Sequence, residues 1–186
     1  MEIRYLVDEQ LRELGFGFVG KNVRVAENCH IPNRQSIFLE DNVRIHPFST
    51  LAVAGSGSLR IGVNTMIGGY SLIFANEAIS IGSFVSISSH VRIYSDTQDF
   101  SGESIIGCGV PDELRREVRS SVTIADHCGL CTGSALIPGA ELSEGVVLAA
   151  NSLLKTKTDP WNFYGGNPAR LIKPRSKACL DLLKSG

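Results

Sequence analysis

The sequence lacks a charge excess of either sign: 18 Lys and Arg stand against 19 Asp and Glu over 186 residues. No basic stripe gathers the cations on one segment, which argues against a nucleic-acid partner. No apolar run approaches the ~20 residues of a membrane span. The opening residues Met-Glu-Ile-Arg-Tyr lack a signal-peptide pattern. A soluble, cytoplasmic chain of one domain is expected. The five cysteines, Cys29, Cys108, Cys128, Cys131 and Cys179, are an odd number without the spacing of a disulfide framework. Reduced thiols are predicted. Cys128 and Cys131 form a C-x-x-C, but no second such pair exists to complete a zinc site. Histidine is also sparse, and His30, His46, His90 and His127 include no closely spaced pair. No metal is expected.

What the sequence does contain is a period of six. Aliphatic residues stand at Val19, Val25, Ile31, Ile37 and Val43, lapse at Ser49 and Gly55, and resume at Ile61, Ile67, Ile73, Ile79, Val85 and Val91. A second run carries Ile124, Leu130, Leu136, Leu142, Leu148 and Leu154. Six fits neither the 3.6-residue period of a helix nor the two-residue period of a sheet with one wet face. It fits an all-β solenoid whose coil has three six-residue sides, each pointing one apolar residue at the axis. Two positions earlier the residue is often small, as at Thr65, Ser71, Ser83, Ser89, Cys128, Ser134, Ala140 and Ser152. Small residues suit the cramped inside of a corner.

This reading divides the chain into an N-terminal cap over 1–18, a solenoid over 19–173 and a C-terminal helix within 174–186. Asp8 is the expected N-cap of a helix from Glu9 to Leu14, with Gly15 as its left-handed stop. Four coils of ~18 residues are expected between Val19 and Tyr94, with a bend or bulged corner over Ser49–Ser58 that keeps the phase. Two more follow from Ile124 to Lys157. The C-terminal helix is placed over Ser176–Lys184. Residues 95–121 break the period, because the step from Val91 to Ile124 is not a multiple of six. The segment is therefore an external loop that leaves the prism and returns at a corner, and a loop of this length in a compact domain is usually functional.

Beyond periodicity, Val122–Lys157 reads VTIADHCGLCTGSALIPGAELSEGVVLAANSLLKTK, and Tyr164–Lys173 reads YGGNPARLIK. With its I-P-G turn and G-N-P-A-R exit this resembles the hexapeptide-repeat acyltransferases, the left-handed parallel β-helix family that includes galactoside and maltose O-acetyltransferases. Arg92–Glu103, RIYSDTQDFSGE, is similar to sugar acetyltransferases of bacterial surface-polysaccharide biosynthesis. The resemblance implies a homotrimer with an active site at each interface, acetyl-CoA as co-substrate along the groove, and a loop that wraps the cofactor. It places the cofactor contacts on Thr132, Ala150, Lys155, Thr156, Arg170 and Lys173, where the three cations would meet the phosphates. The acceptor pocket is expected from Gly68, Tyr70, Arg92 and Asp96, with a sugar or nucleotide sugar as substrate.

One departure bears on mechanism. The family's general base is a histidine in an Ile-Tyr-Thr-x-Thr-His stretch, matched here by Ile93–Gln98. The histidine position is Gln98, which cannot take a proton at neutral pH. The family's acceptor-side asparagine falls on Gly68. Three readings follow. Asp99, Asp96 or His90, the last pointing outward near the loop, replaces the base for a sugar hydroxyl, a carboxylate beside an apolar wall being raised enough to act. Alternatively the acceptor is an amine, which attacks a thioester once neutral, so that Gln98 only orients it. Or the chain is a β-helix scaffold without chemistry. A metal enzyme on this fold, the γ-type carbonic anhydrase, would need a close histidine pair, which is missing. His30, His46 and His127 are expected to be packing or surface residues.

Overall fold

A computed structural model describes residues 3–183. The chain winds into a triangular, left-handed parallel β-helix. One face holds six strands, from Phe18–Val19 to Glu141–Leu142, and a second holds nine. The third holds five, from Thr50–Val53 to Leu153–Leu154. Within the prism every pairing is parallel, one coil stacked on the next. The parallel strands are short, two to four residues, because a corner interrupts the chain after each one.

The core is a column of aliphatic side chains, with Ile45, Leu51, Ile61, Ile67, Ile73 and Ile87 all fully buried. Each stabilises the fold by ~1.5–3 kcal/mol relative to exposure. The register refines the six-residue reading. Val19 lies opposite Leu39, Leu39 opposite Ile61 and Ile61 opposite Ile81. Each of those coils is longer than three sides of six, and the middle one is the longest. A coil of three equal sides appears where Ile124 stands opposite Leu142, Leu130 opposite Leu148 and Leu136 opposite Leu154. The extra residues collect at one corner, after the third face. The step from Leu51 to Ile61 overruns the six-residue side that separates Ile61 from Ile67 and Ile67 from Ile73. So the glycine-rich Ser49–Ser58 stretch does form a bulged corner, but the phase is not kept across it. Gly57 packs there so tightly that a Cβ would sit 2.0 Å from the Ala75 carbonyl oxygen.

The apparent continuity of the first run has a physical origin. Val85 and Val91 occupy the inside-corner position two residues before the strand residues Ile87 and Ile93, the place held by Thr65 and Ser71 one coil earlier, and Ile79, likewise two residues before Ile81, opens its strand opposite Leu59. The core accepts either an aliphatic or a hydrogen-bonded small residue at that corner position. Ser71 Oγ donates to the Ser88 carbonyl at 3.2 Å, and Thr65 Oγ1 to the Gly82 carbonyl at 2.8 Å. Ser83 and Ser89, expected inside, are half-buried. Cys128 is inside, its Sγ 3.1 Å from the Ser143 carbonyl. Burial pushes that thiol up to about 11, an inert, structural state.

Both ends of the nine-stranded face are closed by antiparallel strands, Tyr5–Val7 on Arg24–Ala26 and Arg170–Pro174 on Asn162–Gly165. Such strands end the parallel ladder that would otherwise pair with another chain. The first has no counterpart in the sequence reading, and it moves the helix α1 to Asp8–Glu13, with Val7 as N-cap. The Gln10 side chain accepts from the Val7 amide. Gly15 has φ 78° and supplies the left-handed stop. Leu11 of α1 is fully buried. The C-terminal helix α2 is shorter than expected, Cys179–Leu182; Lys184 lies outside the described residues.

Residues 95–121 leave the prism as expected. Asp96–Gln98 pairs antiparallel with Glu117–Arg119, and the neck is closed by the Ser120 amide donating to the Ser95 carbonyl at 3.0 Å.

Candidate active site

The three corners carry the chemistry. At most turns one residue takes the left-handed conformation that turns the chain. At the second corner, between the nine-stranded and five-stranded faces, these residues are Phe48, Tyr70, His90, Gly133 and Asn151. Backbone bonds tie them coil to coil. Tyr70 donates to Pro47, His90 to Gly69, Gly133 to Ser89 and Asn151 to Thr132. Thr132 and Ala150 therefore stand on the same edge as Ser89 and Gly69, one coil above another. Among the described residues, no hydrogen bond engages the amide N–H of Thr132 or Ala150. These are free donors on an exposed edge, the chemistry that a pantetheine arm needs.

The side chains on this edge form a column. The rings of Phe48 and Tyr70 stack at 4.9 Å and 24°, and those of Tyr70 and His90 at 5.2 Å and 12°. They wall a cavity of about 680 Å³ shared with His46, Asn28 and Ser89. Sequence reasoning placed Tyr70 and His90 here and missed Phe48, His46, Asn28 and Ser89. The signal was present, because an aromatic or histidine follows each inward isoleucine by three: Ile45 and Phe48, Ile67 and Tyr70, Ile87 and His90. His46 Nδ1 is 3.2 Å from the Tyr5 hydroxyl. Burial, with a smaller contribution from Arg44, holds this imidazole below its ordinary value.

Gly68 belongs to the fold and carries no recognition group. It is buried, its carbonyl accepts from Ser49 Oγ at 3.1 Å, and a Cβ would lie 2.5 Å from the Ser88 carbonyl carbon.

The hairpin starts at the third corner, on the far side of the five-stranded face. Asp96, Gln98 and Asp99 are thus separated from His90 by the strand Arg92–Tyr94, roughly 15–20 Å along the chain. One chain does not bring them together, so the expectation that His90 lies near the loop is not met within it. Asp99 is committed to the hairpin: its carboxylate accepts from the Ser101 amide at 2.9 Å and from Ser104 Oγ at 3.3 Å. The Ser101 bonds come first among the causes that lower this carboxyl, opposite to the raised value expected for a base. Asp96, at the hairpin root, makes no hydrogen bond or ion pair among the described side chains. Its negative charge adds to the Glu117 hydrogen bond and charge that raise the Arg119 guanidinium. Gln98 sits opposite Glu117 in the ladder. The hairpin's cations largely neutralise its own acids, Arg116 with Glu103 at 3.1 Å and Arg119 with Glu117. The bond from Arg119 holds the Glu117 carboxyl low.

Arg92, Lys155 and Lys173, by contrast, have no ion pair among the described residues, and all are exposed. Lys155 and Thr156 follow the last strand of the five-stranded face, while Arg170 and Lys173 lie in the strand that closes the nine-stranded one. Arg170 donates to the neighbouring Ala169 carbonyl at 3.2 Å. The cations expected to meet phosphates thus gather at the C-terminal end, with Thr132 and Ala150 leading from there towards the cavity. No cluster of three metal-binding side chains exists among the described residues, and no described helix is long and apolar enough to cross a membrane.

No protein-family model matches the chain. Curated proteins do. The chain is 33% identical over 178 residues to dTDP-4-amino-4,6-dideoxy-D-glucose acyltransferase of Escherichia coli, covering 96% of this chain and 92% of that one. It is 26% identical over 147 residues to WbbJ of Escherichia coli K12, assigned to lipopolysaccharide biosynthesis as an O-acetyl transferase, with 78% and 75% covered. Among solved structures, AntD of Bacillus cereus, an N-acyltransferase crystallised with dTDP and 3-hydroxybutyryl-CoA, superposes with a TM-score of 0.92 at 30% identity. That superposition covers 99% of this chain and 96% of AntD. A further AntD structure holds dTDP-4-amino-4,6-dideoxyglucose and coenzyme A. With the coiled prism, the free amide edge and this identity over nearly its whole length, the chain belongs to the hexapeptide-repeat sugar acyltransferases, enzymes that use acyl-coenzyme A as donor.

Proposed function

We propose that this enzyme transfers an acyl group from coenzyme A to the amine of a nucleotide-linked amino sugar, and that it works as a homotrimer. The observation that carries the reading is Gln98. The histidine that would deprotonate a hydroxyl is replaced by a group that cannot accept a proton, in a chain whose 33% identical relative is named for a dTDP-linked 4-amino sugar. An amine reaches its nucleophilic form by losing its proton to water, so it attacks the thioester carbonyl without a protein base. The oxyanion is stabilised by amide donors of the second-corner edge. As the tetrahedral intermediate collapses, the C–S bond breaks, coenzyme A leaves as thiolate, and that sulfur takes the second proton from the amine nitrogen.

Asp96 is the carboxylate placed to hold the ammonium and orient the amine. AntD has been crystallised with substitutions of an aspartate and of a serine ten positions before it. That spacing recurs here at Ser86 and Asp96, and at Ser89 and Asp99. Asp99 is already bonded within the hairpin, which favours Asp96. His90 then forms a cavity wall, while Gln98 orients the acceptor. Trimerisation supplies the convergence that one chain lacks, because the hairpin of one subunit can reach the second corner of its neighbour. Thr132 and Ala150 bind the pantetheine arm, while Lys155, Thr156, Arg170 and Lys173 bind the phosphates. Tyr70 and Arg92 face the acceptor.

A sugar hydroxyl as acceptor is the second reading, favoured by the identity with WbbJ. Incubation with acetyl-CoA or 3-hydroxybutyryl-CoA and dTDP-4-amino-4,6-dideoxyglucose, followed by mass spectrometry, distinguishes them. An acylated product stable to mild base is expected, as an amide is. Acylation only of sugars without an amine, in base-labile form, would establish the hydroxyl reading, and light scattering showing a monomer would remove the shared site.

A further inference from the structure

Bulky residues in the left-handed region are uncommon and strained. At the first corner the lower coils use asparagine in that role. Asn22, Asn42 and Asn64 form a ladder with amide bonds of 2.9 and 2.8 Å. At the second corner, comparable coils use Phe48 and Tyr70, 49% and 53% exposed. The prism can turn on asparagine, so the fold does not require rings here. The upper aromatic column of the first corner, Phe84, His127 and Trp161, has an internal partner. Arg175 lies over the Trp161 ring at 5.7 Å and donates to the His127 and Gly145 carbonyls at 2.9 and 2.8 Å. Among the described residues no cation lies over the Phe48–Tyr70–His90 column, which walls the 680 Å³ cavity.

We infer that this cavity receives the nucleobase of the acceptor, a pyrimidine packed on the Phe48–Tyr70 column with its edge read by Asn28. The inference rests on the nucleotide-sugar reading and gives it a place. Aromatic rings hold bases by stacking. The Asn28 side chain, which makes no hydrogen bond among the described residues, offers one acceptor and a donor pair side by side, matching the adjacent carbonyl and N–H of a thymine or uracil ring. The other source of a nucleobase is the adenine of coenzyme A. The cations suited to its phosphates lie at the opposite end. From the Arg44–Ile45 strand to the Arg170–Pro174 strand there are six strand steps, about 29 Å at the usual sheet spacing.

The test is calorimetric titration of the full chain with dTDP and, separately, coenzyme A. Phe48→Asn and Tyr70→Asn remove each ring while keeping a residue that tolerates the turn, and melting curves confirm that both variants fold. Each is expected to weaken dTDP binding roughly tenfold or more and to leave coenzyme A binding within about twofold. Asn28→Ala is expected to reduce the preference for dTDP over dCDP. Unchanged dTDP binding in both ring variants overturns the inference and leaves the nucleotide-sugar reading standing. Weakened coenzyme A binding instead assigns the cavity to adenine and also overturns it. A wild-type chain that binds coenzyme A but not dTDP removes the nucleotide acceptor itself.

Discussion

The prism and the hairpin are built from one chain by opposite rules. In the prism, the inward side chains are aliphatic or small, and the backbone bonds run from coil to coil. In the hairpin, a single two-stranded ladder and a set of ion pairs hold the backbone, while Phe100, Ile105, Ile106 and Val118 stand exposed. Rigidity comes from repetition, because each coil repeats the bonds of the last. Repetition fails at the bulky left-handed corners, at the third corner that takes the extra residues, and at the hairpin root. In the proposed homotrimer, the prism sets positions to which the hairpin of a neighbouring subunit delivers charge.

Substitutions break this contrast at different strengths. Ile73→Ala, in the fully buried column, is expected to cost ~2–5 kcal/mol, whereas Val118→Ala in the hairpin stays within about 0.5 kcal/mol. Urea unfolding of both measures it, and equal losses would mean that the hairpin is packed in the assembly. Next comes Asp96→Asn, expected to lower kcat/KM about a hundredfold (roughly 2.7 kcal/mol) without moving the melting temperature. Asp99→Asn should cost less than about tenfold and act through hairpin order. A reversed ranking would move the amine-holding role to Asp99. Gly68→Ala is expected to destabilise by ~1–3 kcal/mol through contact with the Ser88 backbone while leaving KM for the acceptor unchanged at a permissive temperature; a KM effect alone would return Gly68 to the substrate site. Lys173→Gln should raise KM for acyl-CoA a few-fold and flatten its dependence on salt, as loss of a phosphate cation does.

The smallest effect concerns pH. Burial holds His46 below its ordinary 6.5 in the folded chain, so the unfolded chain binds that proton more readily. Stability then rises with pH through the window between the lowered folded value and 6.5, and is fully present above 6.5. His46→Gln should remove that slope from the melting temperature measured across the window. An unchanged slope would assign it to other groups.

Much of this was legible in the residues. Val19, Ile61 and Ile124 begin runs whose six-residue period names the solenoid, and the step from Val91 to Ile124, too long for a side and out of phase with it, names the excursion. The phase misleads where Val85 and Val91 stand two residues early, because one linear period does not distinguish an inside corner from a strand centre. The Tyr5–Val7 strand was hidden because three residues carry no periodicity and pair antiparallel with a partner defined by the coil. Gly68 reads in sequence as part of the acceptor pocket; only the 2.5 Å approach to Ser88 shows it to be a packing position.

The sequence by itself determined the prism, the external excursion over residues 95–121 and the absence of a histidine base at Gln98, because period and residue type are properties of the chain read in order. Tertiary structure decided which side chains share an edge. It stacked Phe48, Tyr70 and His90 from three successive coils, placed Thr132 and Ala150 above them, and put Asp96 on another corner. The physical reason is that coils of unequal length rotate unequal stretches of sequence into one column, and a neighbour in that column is set by backbone bonds between coils.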